Sequence, residues 1–152
     1  MRQQRKIMAI ASIGGHWIQL LRITKALDDT FDIVYISTQQ HLAGMVPGKT
    51  YHTIPDFSRW DAWRMVPAFF RMLRLIIREK PQAIITTGAA PGLIGLLAGW
   101  LTRRKTIWVD SLANVEHLSA CGRIASWFAT EIYTQWEDLA SRRVRFAGNT
   151  IG

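Results

Sequence analysis

Apolar runs of strand length alternate with stretches of helical period along this chain. Lys6–Ala11 (KIMAIA) is a continuous apolar run ending at Ser12 and Gly14-Gly15, which predicts a strand buried on both faces. A helical pattern follows from His16 to about Leu27. DIVYIS (32–37), YHTI (51–54), AIITT (83–87) and TIWVD (106–110) have the length and β-branched content of further strands. Helical patterns fill about Asp61–Glu79 and Pro91–Leu101, and Pro67 means that the first of these either starts near it or kinks there. A loop and a helix to about Ala129 come next, then EIYTQ, a short helix around Trp136–Leu139 and a final apolar VRFAG.

Strands alternating with helices at this spacing predict an α/β, Rossmann-like fold, a parallel sheet with helices on both faces. Ligands of such sheets collect at the carboxyl ends of the strands. Three loops of unusual composition fall there and are expected to share one edge: Ser12–His16, Thr87–Gly92 and Asp110–Gly122.

The 152 residues fit a single domain, 1–152, and a 49% hydrophobic content is enough for a real core. The single cysteine, Cys121, excludes an internal disulfide. MRQQRK is basic, but no small-residue cleavage site follows the apolar run after it, so no secretory signal is expected. AAPGLIGLLAGWL is shorter than the ~20 residues a bilayer requires, and MVPAFFRMLRLII is interrupted by Pro67, Arg71 and Arg74. No transmembrane helix is expected. A formal charge of +8 suits an anionic partner. Nucleic acid is the least favoured one, because no recognition helix, aromatic RNP strand or zinc-finger spacing is present.

Gly14-Gly15 at a strand-to-helix turn lets backbone N–H groups approach an anion at a helix N-terminus. The loop lacks the full dinucleotide fingerprint and has no Walker Gly-Lys-Ser/Thr. TTGAAPG repeats the arrangement, with hydroxyls at Thr86 and Thr87 beside Gly88. Two such loops on one edge form a cradle for a phosphate-bearing ligand. His16, where loop becomes helix, reads either as a general base or diphosphate donor or as a capping side chain. His41, His52 and His117 have no ligand spacing, and neither a metal nor a cofactor is expected. On one continuous helix Arg64, Arg71, Arg74 and Arg78 form a stripe roughly 80° wide, opposite Met65, Phe69, Met72, Leu73 and Ile76. With seven tryptophans in the chain and Phe57, Trp60 and Trp63 in apparent loop, that stripe suits an anionic membrane interface, or else is a solvated basic face.

VDSLANVEHLSACGRIASWFATEIYTQWEDLA, GGHWIQLLRI and TTGAAPGL together resemble the membrane-recruiting subunit of split GT-B glycosyltransferases. That family comprises the anchor subunit of dolichol-linked N-acetylglucosamine transfer and a bacterial exopolysaccharide counterpart. It is similar to the N-terminal half of the peptidoglycan enzyme that adds N-acetylglucosamine to an undecaprenyl-diphosphate sugar. Members commonly carry glutamate near Asp110, arginine near Asn114 and aspartate near Thr130, so this chain departs at those places. The eukaryotic anchor's N-terminal membrane helix has no match here, and a bacterial, peripheral form on the cytoplasmic face of the plasma membrane is expected.

The resemblance implies a half-enzyme, active as an inverting hexosyltransferase only with a separate donor-binding subunit that takes the UDP-sugar. Ser12, Gly14, Gly15, Thr87, Gly88, Asp110, Ser111 and Asn114 would face the diphosphate of a polyprenyl-linked acceptor, His16 would act in catalysis, Trp60, Trp63 and the four arginines would touch the membrane, and Gln135 and Trp136 would meet the partner. Two alternatives stand beside it: an autonomous Rossmann enzyme using a nucleotide, and a recruiter that takes no part in the chemistry.

Overall fold

The structure, a computed structural model, describes residues 4–57 and 59–150, with side chains at all of these except positions 59 and 60. Seven parallel strands among them form one sheet: β1 (Arg5–Ile10), β2 (Phe31–Ser37), β3 (Thr50–Thr53), β4 (Ala83–Thr86), β5 (Lys105–Val109), β6 (Glu131–Thr134) and β7 (Val144–Phe146). The helices are α1 (Gly15–Lys25), α2 (Met65–Glu79), α3 (Ala89–Leu101) and α4 (Ala120–Ala125). The Rossmann-like sheet expected from the alternating pattern is therefore the one observed.

The strand order is β3-β2-β1-β4-β5-β6-β7. From β1 the chain winds outward to β3, returns to β4 on the other side of β1, and winds outward again to β7. The reversal falls between β1 and β4, the kind of position at which ligands of open α/β sheets generally bind. Ile10 pairs with Ile36 on one side and Thr86 on the other, so the three strand ends are level.

Each face of the sheet has its own core. Met8, Ile10, Ile36, Ile84, Trp108 and Ile132 pack under α2, α3 and α4 through Met72, Ile76, Leu96, Ala98 and Ala125. Ile7, Ala9, Ile33, Tyr35, Ile85 and Val109 pack with Trp17 and Leu20 of α1 and with Leu42 of the 3-10 turn Gln40–Met45. This two-sided coverage is why the strands read as unbroken apolar runs rather than alternating ones. α3 rests its backbone on the sheet. A Cβ at Gly95 would stand 2.3 Å from the Ile10 Cδ1 atom, a distance no side chain can occupy.

Of the two alternatives for the helix up to Glu79, a start near Pro67 is the one observed: it begins at Met65, with Pro67 in its first turn, and residues Arg59–Arg64 form a 3-10 segment broken at Asp61 (φ −114°, ψ 39°). Two expectations change. Phe57 is not an interfacial loop aromatic, because it folds inward and is 8% exposed against Ala68 and Ile94. α4 ends at Ala125, short of Ala129. Among the described residues no helix is long and apolar enough to cross a membrane.

Candidate functional site

The loops after β1 and β4 each deliver a helix N-terminus to this reversal. Gly14 is the N-cap of α1 (φ +91°) and Gly88 that of α3 (φ +128°), both conformations that L side chains avoid. Neither helix has a side-chain cap or an acidic residue in its first turn. First-turn N–H groups that usually find a Ser, Thr or Asp oxygen are left without one, and the positive ends of both helix dipoles lie at the reversal point.

His16 joins the two loops. Its Nδ1 lies 2.9 Å from the carbonyl of Thr87, and the buried Thr87 hydroxyl donates back to the His16 carbonyl. A carbonyl can only accept, so Nδ1 carries the proton and, in the neutral ring, the lone pair sits on Nε2. The ring packs so closely against the second loop that a Cβ at Gly88 would fall 2.9 Å from it. Glycine at 88 is thus required twice, by its backbone angle and by the imidazole. Ser12 is half-buried, while Ile13, Gly14 and Gly15 are exposed.

The loop after β5 completes the edge and is organised from within. Asp110 is 1% exposed, and its carboxylate accepts from the indole N–H of Trp108 (2.9 Å), the Ser119 hydroxyl (2.7 Å) and the Ser119 backbone N–H (3.0 Å). Ser119 in turn caps α4 by accepting from the Gly122 N–H at 2.9 Å. The Asp110 side chain therefore orders its own loop. Ser111 accepts from the Ala113 N–H at 3.2 Å, and Asn114 closes a turn on the Ser111 carbonyl. Burial pushes the Cys121 thiol up, and the Asp110 charge adds to this.

Gln19, which sequence reasoning passed over, ties this loop to the first. Its side-chain NH2 donates to the Asp110 carbonyl (3.0 Å) and its oxygen accepts from the Leu112 N–H (3.4 Å), although the residue is 5% exposed on α1. The only local signal was an amide among the apolar residues Trp17, Leu20 and Leu21. All three loops expected at one edge are thus linked by hydrogen bonds. No three His, Cys, Asp or Glu side chains gather in a group able to hold a metal ion among the described residues.

The profile of the family described as "Oligosaccharide biosynthesis protein Alg14 like" matches residues 60–150. The chain belongs to that family. The matched span includes the loops after β4 and β5. Over 91 residues, 53% of this chain, it is 35% identical to the UDP-N-acetylglucosamine transferase subunit ALG14 of Eremothecium gossypii, covering 40% of that protein. Over 142 residues, 84% of this chain, it is 27% identical to the UDP-N-acetylglucosamine–N-acetylmuramyl-(pentapeptide) pyrophosphoryl-undecaprenol N-acetylglucosamine transferase of Synechococcus elongatus, covering 40% of that protein. The crystal structure of Acinetobacter baumannii MurG superposes with a TM-score of 0.80 at 14% identity, over 94% of this chain and 45% of that one. The chain thus spans less than half the length of each of these three, and the last likeness is one of fold.

In this Alg14-like chain Gln135 and Trp136 have partners of their own. Gln135 is 3% exposed and its side-chain oxygen accepts from the Thr150 N–H at 2.8 Å; the Trp136 indole donates to the Leu112 carbonyl at 2.9 Å. Along α2, Arg74 and Arg78 are exposed, as is Arg64 at its N-cap, 5.3 Å from the centre of the exposed Trp63 ring. Arg71 turns back, its Nε–H donating to the Thr53 carbonyl at 2.7 Å. Val66, Phe70 and Ile77 are more than half exposed between these arginines, an apolar component the Alg14-like helix carries beyond its expected basic stripe. The Trp60 side chain lies outside the described residues.

Proposed function

We propose that the chain is one lobe of a two-chain, membrane-associated UDP-sugar glycosyltransferase in polysaccharide or oligosaccharide biosynthesis. It holds a polyprenyl-diphosphate-linked sugar acceptor while a separate subunit binds the UDP-sugar. One observation carries this reading: two helix N-termini without side-chain caps converge at the reversal of the sheet, joined by His16, in a chain that matches less than half of a full-length transferase. The Synechococcus relative is named for a pyrophosphoryl-undecaprenol acceptor and the Eremothecium one for a transferase subunit, which supports both the diphosphate and the partner.

In this scheme the backbone at Gly14, Gly15 and Gly88, with the Ser12 hydroxyl, receives the acceptor diphosphate. Thr87 positions the His16 ring, and Asp110, Ser111 and Asn114 shape the neighbouring loop. The acceptor hydroxyl attacks the anomeric carbon of the donor sugar; a new carbon–oxygen bond forms as the bond to UDP breaks, and the hydroxyl proton passes to Nε2 of His16. The leaving UDP is stabilised by the partner chain. Trp60, Trp63, Arg64, Arg74 and Arg78, joined by Val66 and Phe70, rest on the anionic cytoplasmic face of the plasma membrane. Trp136 and the chain around Gln135 lie towards the partner.

The test is co-purification with the product of an adjacent reading frame and assay with radiolabelled UDP-sugar on a lipid extract. His16→Ala should lower turnover by about 10²–10⁴-fold while the acceptor still binds. Full turnover in that variant would reduce the chain to a recruiter outside the chemistry. Turnover of a soluble substrate by the lone chain would make it an autonomous enzyme instead.

A further inference from the structure

A second cleft opens on the same edge of the sheet, one strand over from the glycine loop. It has a volume of about 360 Å³ and is lined by Thr38, Gln40, Thr53, Asp56 and Arg71 over an apolar floor of Ile54 and Pro55. The register that sets Ile10 opposite Ile36 brings Ser12 and Thr38 to the edge together, each two residues further along its strand direction. The geometry points to a saccharide subsite, which takes the hydroxyls of a pyranose ring.

The side chains offer donors and acceptors together. The Arg71 Nε–H is held by the Thr53 carbonyl at 2.7 Å, which fixes the guanidinium plane and leaves its two NH2 groups for another acceptor. Asp56 uses one oxygen on the Phe57 N–H at 2.8 Å, and its other oxygen has no hydrogen bond among the described residues. One cation beside one anion makes a poor phosphate site, since Asp56 repels what Arg71 attracts. A neutral polyol satisfies both at once, and its C–H face suits Ile54 and Pro55. The volume falls within the range of small-ligand sites.

That the ring belongs to the glycan of the lipid-linked acceptor rests on the reading given under Proposed function; the subsite itself does not. Saturation-transfer NMR on the full chain with N-acetylglucosamine and methyl glucoside as separate probes, beside 31P line broadening of inorganic pyrophosphate, tests both. Saccharide signals are expected at millimolar affinity and should weaken about tenfold in Asp56→Asn and in Gln40→Ala. Gln40→Ala should fold with unchanged Tm, because the side chain is exposed. No saccharide signal up to about 20 mM, or signals that survive both substitutions, overturns the subsite. A saccharide response without any pyrophosphate response overturns the diphosphate role of the glycine loops and leaves the subsite standing; the converse result removes the subsite alone.

Discussion

The two edges of the sheet treat polar groups in opposite ways. At the amino-terminal edge charges pair with one another. Lys6 and His52 both hold Glu79, at 3.1 and 2.9 Å, and Lys105 and Arg145 flank Glu131 at 3.7 and 4.0 Å. At the carboxyl edge two helix N-termini have no side-chain cap and the nearest imidazole is held by a backbone carbonyl. One edge pairs its charges within the chain; the other leaves the first-turn N–H groups of two helices without a side-chain acceptor.

The largest break in that comparison is expected at Asp110, which looks like a rim residue and behaves like a core one. Asp110→Ala leaves the Trp108 indole N–H and the Ser119 donors without their acceptor and should cost about 3 kcal/mol in denaturant unfolding of the chain with no ligand present. Asp110→Asn should recover part of this, because an amide oxygen can still accept from Trp108 while its NH2 group opposes the Ser119 N–H. If both variants kept full stability, the carboxylate would have to serve a ligand instead.

Next comes Gly88→Ala, which meets the His16 ring at 2.9 Å and a φ of +128°. A loss of about 2 kcal/mol is expected from the strained backbone, with turnover of the assembled pair falling about a hundredfold as the imidazole is displaced. A thermal melt and a steady-state assay read the two effects separately. Normal turnover would show that the ring position is not used.

The smallest effect belongs to the paired edge and sharpens the contrast through pH. Burial pushes the Glu79 carboxyl up, but hydrogen bonds from His52 and Lys6, together with their charges, outweigh it and hold the group below the usual glutamate value. A carboxyl depressed on folding stabilises at pH values above its unfolded pKa of about 4.3 and loses that contribution as pH falls through its folded value. Glu79→Gln should therefore be less stable than the parent by about 1 kcal/mol at neutral pH, and the gap should close in acid. A gap constant from pH 7 to about 3 would mean that the ion pairs contribute nothing.

The strands were legible because burial on both faces leaves a run such as Met8–Ala11 with no polar interruption, and turn glycines punctuate it. The shared edge of the three loops followed from parallel topology alone. Local pattern failed where a distant partner decides. Phe57 reads as loop until Ala68 and Ile94 close over it, and the His52–Glu79 pair joins positions 27 residues apart with no spacing to announce it. Pro67 announced the start of α2, which begins two residues before it at Met65, while Asp61 takes a non-helical ψ of 39°. The Arg71 side chain is exposed with its neighbours, as predicted, and also donates to a carbonyl at the end of β3 that periodicity along α2 cannot register.

Gln19 has a mechanical meaning. One amide grips the backbone on both sides of Ser111, at Asp110 and Leu112, 91 and 93 positions away in the chain, while its helix grows directly out of the glycine turn. The first and third loops of this edge are clamped into a single jaw. The segment bearing Val115, Glu116 and His117 is thereby moored to the same helix that starts at the glycine turn.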